Sequence, residues 1–158
     1  MKRIPLTSGL FAKVDDEDFI ELSKLKWFAH HGYAERNSIL ESGRKTTISM
    51  HRVILNTPVG MQTDHINHDT LDNRRKNLRV VTRTQNQMNS KMRNGNVAGF
   101  KGVSFGKERR GKKFRALITI GSKQTSIGYF HTAIEAARAY NEAAKKYYGE
   151  FALLNKIK

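Results

Sequence analysis

The sequence predicts an α+β fold assembled from pieces. A small β-rich N-terminal segment is followed by a strand–loop–strand–helix (ββα) module, then by a three-stranded antiparallel sheet packed on one α-helix. Three observations lead to this reading. Short apolar runs with β-forming character, bounded by Gly, Asn, Asp and Ser, recur along the whole chain. The longest helical stretch comes near the end, opened by Thr132 with Glu135 three residues later and closed by Gly149. Between these regions the chain turns polar, and changes of composition divide it into 1–48, 49–90, a linker 91–98 and 99–158.

Taken in order, Ile4 to Thr7 and Leu10 to Val14 read as short strands joined through Ser8-Gly9. Asp16 to Ser23 suits one or two helical turns, and Trp27 to Ala29, Tyr33 to Arg36 and Lys45 to Ile48 suit further strands. Ser49 is placed to cap a short helix from Met50 to Leu55. Gln62 to Ile66 should be extended, and His68 to Lys76 a polar loop held by Asn and Asp. Leu78 to Val81 is a compact β-former run, and Thr82 with Gln85 marks the start of a helix carrying Asn86 in its first turn or two. After the linker, Gly102 to Phe105, Phe114 to Ile120 and Thr125 to Phe130 are strands. A helix from about Ala133 to Tyr148 lays Ala137, Tyr140, Ala144 and Tyr148 along one stripe.

The charge bears on partners. The 158 residues carry a formal +15, with an isoelectric point of about 10.3. That is the signature of a protein that meets a polyanion, nucleic acid above all. Residues 1–50 hold 8 Lys/Arg against 7 Asp/Glu, residues 51–98 hold 8 against 3, and residues 99–158 hold 13 against 4. The polyanion therefore belongs mainly to the last two thirds. Cysteine is absent, which excludes disulfides and thiolate zinc sites. No apolar run approaches the length of a membrane span, and the reading is of an intracellular chain with no membrane role.

Thr63-Asp64-His65-Ile66-Asn67, with Asn77 and Asn86 downstream, carries the chemistry. Phosphodiester cleavage needs an activated water and neutralisation of charge developing on phosphorus. Asp64 is a hard oxygen ligand for Mg²⁺ or Mn²⁺. His65 is a candidate general base, and the amide oxygen of Asn86 suits a sparse carboxylate-plus-carbonyl site. Neighbours on a strand face opposite ways, so bringing Asp64 and His65 to one phosphate calls for a bend or bulge near the strand end. The bland alternative is that Asp64, Asn67, Asn73 and Asn77 are Asx turns and caps in a polar loop.

The stretch from His51 to Asn89 resembles the HNH nuclease family, especially its phage and intron-encoded homing endonucleases. The resemblance rests on Asp64-His65-Ile66-Asn67, on Asn73 through Thr82 and on Gln85-Asn86. It implies a ββα-metal unit in which Asp64 and Asn86 hold the ion, His65 is the general base, and Asn77 braces the loop and the histidine. His51 stands where related chains carry a His-Arg pair, and a catalytic and a structural role weigh equally for it. Arg74, Arg75, Arg79 and Arg83 surround the motif as candidate DNA contacts.

The segment Phe100 to Asn155 resembles the plant APETALA2/ethylene-response-factor type of DNA-binding domain. The landmarks are Gly102-Val103, Phe114-Arg115-Ala116, Ile127 to Phe130, Ala136 to Tyr140, Ala143-Ala144, Gly149, Ala152 and Asn155. The resemblance implies a sheet lying in the major groove with the helix behind it. Lys101, Lys113, Arg115 and Lys123 are then candidates for the DNA face, and Arg109, Arg110 and Lys112 for phosphate tracking from the turn. Lys101 and Phe114 depart from the plant pattern of Arg and Trp.

Together these readings imply a metal-dependent homing-type DNA endonuclease that nicks or cuts double-stranded DNA after site-specific binding by its C-terminal domain. It is expected to act as a monomer, without an obligate protein partner, in the cytoplasm of a bacterial or phage-infected cell. The rival expectation is a sequence-specific DNA binder or transcription regulator whose HNH module is inactive. RNA binding is a weaker third, because the proposed sheet face shows no RNA-reading aromatic pair.

Overall fold

The computed structural model describes residues 1–92, 94–109 and 111–157, with the side chains of residues 107–109 and 112 outside that description. Arg110 and the side chains of Arg109 and Lys112, all expected to track phosphates, thus lie outside the described residues. The chain forms two compact units, Met1–Arg83 and Thr84–Lys158.

In the first unit, β1 (Lys2–Pro5) and β2 (Phe11–Val14) form an antiparallel hairpin in register from Lys2↔Val14 to Pro5↔Phe11. The helix α1 (Asp16–Ser23) follows, with Asp16, Glu17 and Asp18 in its first turn, where carboxylates meet the positive end of the helix dipole. β3 (Phe28–His30), β4 (Tyr33–Ile39) and β5 (Lys45–Ser49) make a three-stranded antiparallel meander. Then come α2 (Met50–Ile54), β6 (Gln62–His65), a 3-10 turn at Arg75–Asn77, β7 (Leu78–Val81) and α3 (Arg83–Asn89), which begins where this unit ends. β6, β7 and α3 succeed one another as the ββα segment that the sequence predicts.

This unit's core gathers Ile4, Leu6, Val14, Leu22, Trp27, Met50 and Leu78. Trp27 is buried without an orphaned donor, because its Nε1–H donates to the Leu22 carbonyl at 2.8 Å. The expected cap at Ser49 is corrected here. Ser49 occupies the N-cap position of α2 but makes no capping bond. It sits directly across from Glu35 in the β4–β5 ladder, and its hydroxyl donates to the Glu35 carboxylate at 3.2 Å. A cross-strand carboxylate has won the hydroxyl from the helix end.

In the second unit β8 (Val103–Arg109), β9 (Lys112–Ile120) and β10 (Lys123–Phe130) form an antiparallel sheet with β9 central. The helix α4 (Ala133–Tyr148) covers one face, as the sequence predicts. Ala136, Ala137 and Ala144 are fully buried, and their small size lets the helix backbone approach Val103, Ala116 and Ile118. Thr132 Oγ1 accepts from the Glu135 N–H at 3.1 Å, while Glu135 reaches back to the His131 N–H at 3.2 Å, one residue before the cap. Tyr148 closes the far end: its hydroxyl donates to the Thr119 carbonyl at 2.7 Å and accepts from the Thr119 N–H at 3.0 Å. From the segment read as a linker, Ala98 enters this core. Asn96 Nδ2 donates to the Phe100 and Val103 carbonyls at 2.7 and 3.1 Å.

Gly102 lies where Tyr140 meets the sheet. Its φ is +74°, and a Cβ there would overlap the Tyr140 ring and stand 2.8 Å from the Leu117 carbonyl. Gly102→Ala should therefore destabilise the second unit by about 3 kcal/mol, combining left-handed strain with overpacking. Urea denaturation followed by Tyr fluorescence checks it; a midpoint unchanged from wild type would show that Tyr140 repacks freely.

Candidate active site

The site is organised by the loop between β6 and β7. A polar segment can be rigid only if its backbone groups find partners, and here side chains supply them. Asn77 Oδ1 accepts from the Asn67 N–H at 3.0 Å and its Nδ2 donates to the Asp72 carbonyl at 2.7 Å. The Ile66 N–H donates to the Asn77 carbonyl at 2.9 Å, continuing the ladder one step past His65. Asp72, fully buried, accepts from Arg74 Nε and Nη2 at 2.7 and 2.6 Å and from Asn67 Nδ2 at 3.1 Å. The Arg74 bonds hold the Asp72 carboxyl below the usual carboxylate range.

The N-terminal segment pins the same loop from outside. The Lys13 N–H donates to the Leu71 carbonyl and the Asn73 N–H donates to the Lys13 carbonyl, each at 2.8 Å. Lys13 Nζ reaches Asp69 at 2.8 Å. Arg75 is held by α1, with its N–H on Asp15 at 2.8 Å and its guanidinium on Asp18 and Glu17 at 2.7 Å. β2 and α1 thus buttress the loop.

The two central side chains leave β6 in different directions. The β6–β7 ladder keeps one register from Gln62↔Val81 to His65↔Leu78, so the expected bulge is absent from it. Asp64 meets its cross-strand partner Arg79, whose Nε and Nη2 lie 2.9 and 2.8 Å from Oδ2. His65, at the strand end, places Nε2 3.3 Å from Asn73 Oδ1. Its ring lies 5.9 Å from Tyr33 and 5.1 Å from His51, the latter edge to face. Asp64 and His65 are 6% and 5% exposed. Burial lowers the His65 pKa against the opposing pull of Asn73 and of Asp64, Asp69 and Asp72. Burial, aided by repulsion from His65 and Arg52, takes His51 down to about 4. Both imidazoles are neutral at pH 7, and a neutral imidazole can accept a proton. His51 packs as a neutral ring beneath His65, with its Nδ1 unpartnered among the described residues.

The remaining expected site residues differ in what they touch. Arg74, Arg75 and Arg79 form ion pairs with carboxylates of their own unit. Lys101 donates to the Met88 and Ser90 carbonyls at the C-terminal end of α3, and burial lowers its pKa to about 8. Lys113, Lys123 and Arg83 are exposed. Arg115 alternates with the buried Ala116 along β9 and so occupies the sheet face opposite α4. There it donates to Ser126 Oγ at 3.2 Å, and its guanidinium lies 5.7 Å from the Tyr129 ring centroid. Asn86 lies half-buried in the first turn of α3. Sequence reasoning missed Asn73 and Tyr33 as neighbours of His65, and Lys13 as a prop of the loop. Only the Asn-Asp density of the loop signalled the first, and nothing local signalled the other two.

The depressed His51 pKa has a thermodynamic consequence. An imidazole neutral in the fold and near 6.5 when unfolded stabilises the fold fully above pH 6.5, and that stability is lost as pH falls toward about 4. The loss is on the order of 3 kcal/mol. Unfolding free energy measured from pH 7 to 4 should fall accordingly, and His51→Phe should flatten the curve. An equal slope in the variant would show that His51 is solvated in the fold.

Comparison with known proteins agrees with this geometry. The family model described as "HNH endonuclease" matches residues 56–88, which span β6, the loop, β7 and most of α3. An uncharacterized HNH endonuclease, L560, of Acanthamoeba polyphaga mimivirus is 30% identical over 155 residues, covering 94% of this chain and 76% of that one. Protein 3.8 of Escherichia phage T7 is 36% identical over 67 residues, 42% of this chain and 54% of its own length. No solved structure matches.

Proposed function

The chain belongs to the HNH endonuclease family, and from that premise we propose that it is a metal-dependent, homing-type DNA endonuclease that binds a specific duplex through its C-terminal sheet. Members of this family generally use a divalent metal. Here Asp64 and Asn86 hold Mg²⁺ or Mn²⁺, His65 is the general base, Asn77 holds the loop, and His51 supports the His65 ring. Among the described residues no three His, Cys, Asp or Glu side chains cluster as a metal cage. A site of one carboxylate and one amide oxygen needs none, since Mg²⁺ takes its remaining ligands from water and phosphate. When bound, the ion supplies Lewis-acid stabilisation of charge developing on phosphorus.

The observation that carries the reading is a buried, neutral His65 next to a buried Asp64 at the end of a strand whose following loop is braced at both ends. Neutrality at pH 7 is what a base taking a proton from water requires. With Nε2 against the Asn73 carbonyl, the imidazole is held in one orientation. Because Asp64 and His65 leave β6 on opposite sides, a phosphate reaching both would have to lie across the strand end rather than over one face. The loop network keeps that end from moving, which suits a reaction that depends on placement.

The second unit supplies the anchor. Lys113 and Arg115 present cations on the sheet face away from α4, a shape that a major groove accepts, and Lys123 adds an exposed cation at the start of β10, across from Ile120. Tyr129 and Gly106 shape the surface beside Arg115, where a Cβ on Gly106 would come within 3.0 Å of the Tyr129 ring. The domain division 1–48, 49–90, 91–98 and 99–158 belongs to this proposal, as do the monomeric state and the cytoplasmic setting. A single site acts on one strand at a time, so nicking precedes any double-strand break.

Two experiments test the reading. Supercoiled plasmid should be nicked by wild type with Mg²⁺ or Mn²⁺ and not with EDTA. His65→Ala should cut about 10²-fold more slowly while still binding DNA, and Asp64→Ala should lose metal-dependent cutting. Specific binding without nicking in either metal would move the protein to the binder class. Replacing Lys113, Arg115 and Lys123 together by Ala should shrink the salt slope of duplex binding by about 0.9 per lost phosphate contact. A slope equal to wild type would remove these three cations from the DNA interface.

A further inference from the structure

Asp64, on which the proposed metal site depends, already carries a cation. Arg79 stands directly across from it in the β6–β7 ladder, with Nε 2.9 Å and Nη2 2.8 Å from the same carboxylate oxygen. Both side chains are largely buried, at 15% and 7% exposure, so water screens the pair poorly. The guanidinium cannot lose its proton. The ladder register fixes where its side chain starts, so it stays within reach of Asp64.

A divalent ion arriving alone therefore meets a carboxylate whose charge is already balanced and a fixed cation beside it. A DNA phosphate changes that sum. It brings a negative charge, oxygen ligands for the ion, and an acceptor onto which the Arg79 fork can divide its donors. Resting on the reading of Asp64 as a metal ligand, we propose that Arg79 makes metal binding conditional on DNA: ion and phosphate enter together, and the DNA-free protein holds the ion weakly. Arg79 is then a positioning and gating residue, and its pairing with Asp64 is the resting state of the site. A merely structural ion pair predicts a different outcome, since removing Arg79 would then lower stability without strengthening metal binding.

Mn²⁺ binding to the full chain, followed by electron paramagnetic resonance, separates these cases. Without DNA, wild type should bind weakly, Arg79→Gln about tenfold more tightly, and Asp64→Ala and the double variant not at all. Arg79→Lys keeps the charge and should stay within about twofold of wild type, which keeps the test decisive if the Gln variant folds poorly. With a random-sequence duplex in a cleavage-silenced His65→Ala background, affinity should rise with Arg79 present and rise far less with Gln. DNA-free affinity in Arg79→Gln equal to or weaker than wild type, or a tenfold gain in Arg79→Lys, overturns the gating role while leaving Asp64 as a ligand. No binding that depends on Asp64 in any variant, with or without duplex, overturns the metal reading itself.

Discussion

The candidate site depends on one constraint: the twelve-residue loop between β6 and β7 must hold a fixed shape while burying the polar side chains of Asp72, Asn73 and Asn77. The Asn77 side chain ties the start of the loop to its middle, accepting from the Asn67 N–H and donating to the Asp72 carbonyl. Asp72 carries the other half, because a buried carboxylate that accepts from Arg74 and Asn67 cannot move without stranding a charge. His65 is the last residue before that loop, so its orientation follows from the loop's rigidity rather than from the strand alone. The buttress of β2 and α1 extends the same logic outward, as Lys13, Asp15 and Asp18 pin the loop from the N-terminal segment.

That arrangement also sets the electrostatics. Asp64, Asp69 and Asp72 surround His65 and would raise its pKa, yet each has a cation of its own in Arg79, Lys13 and Arg74. Burial outweighs the pull of Asn73 and the three carboxylates, and the His65 pKa is lowered.

Much of this was legible in the sequence, and the misses share a cause. The element order, the ββα segment and the helix from Ala133 to Tyr148 followed from local pattern, turn residues and capping, all short-range signals. Asn77 as a brace was legible through the family resemblance, and the Asp-His pair through its chemistry. What sequence could not give was pairing across distance. The carboxylate partners of Arg75 and Arg79 come from the fold, Asp18 lying 57 positions from Arg75 and Asp64 standing across the β6–β7 ladder from Arg79. Lys101 read as a groove contact, yet it donates to the carbonyls of Met88 and Ser90. Ser49 failed as a cap for the same reason, since Glu35 reaches it only through the sheet. Gly102 and Asn155 each have a packing role within the second unit. Gly102 makes room for Tyr140, and Asn155 pairs both backbone groups of Lys101 at 2.7 and 3.0 Å, as a strand would.

The internal use of those cations narrows where DNA affinity can originate. A charge tied to a buried carboxylate contributes little to counterion release, because the pair is already neutral before DNA arrives. Each such pair already cancels within the formal +15, so on the proposed reading the excess charge rests on other cations, the exposed ones of the C-terminal sheet among them. Among them Arg115 is unusual in being held. Ser126 and the Tyr129 ring fix its guanidinium on the face away from α4, so it loses less side-chain freedom on binding than a free lysine does. An arginine held in this way favours bidentate recognition of a base edge over diffuse attraction to phosphate. Lys113 on β9 and Lys123 on β10 are exposed, and on the proposed reading they supply sequence-independent attraction.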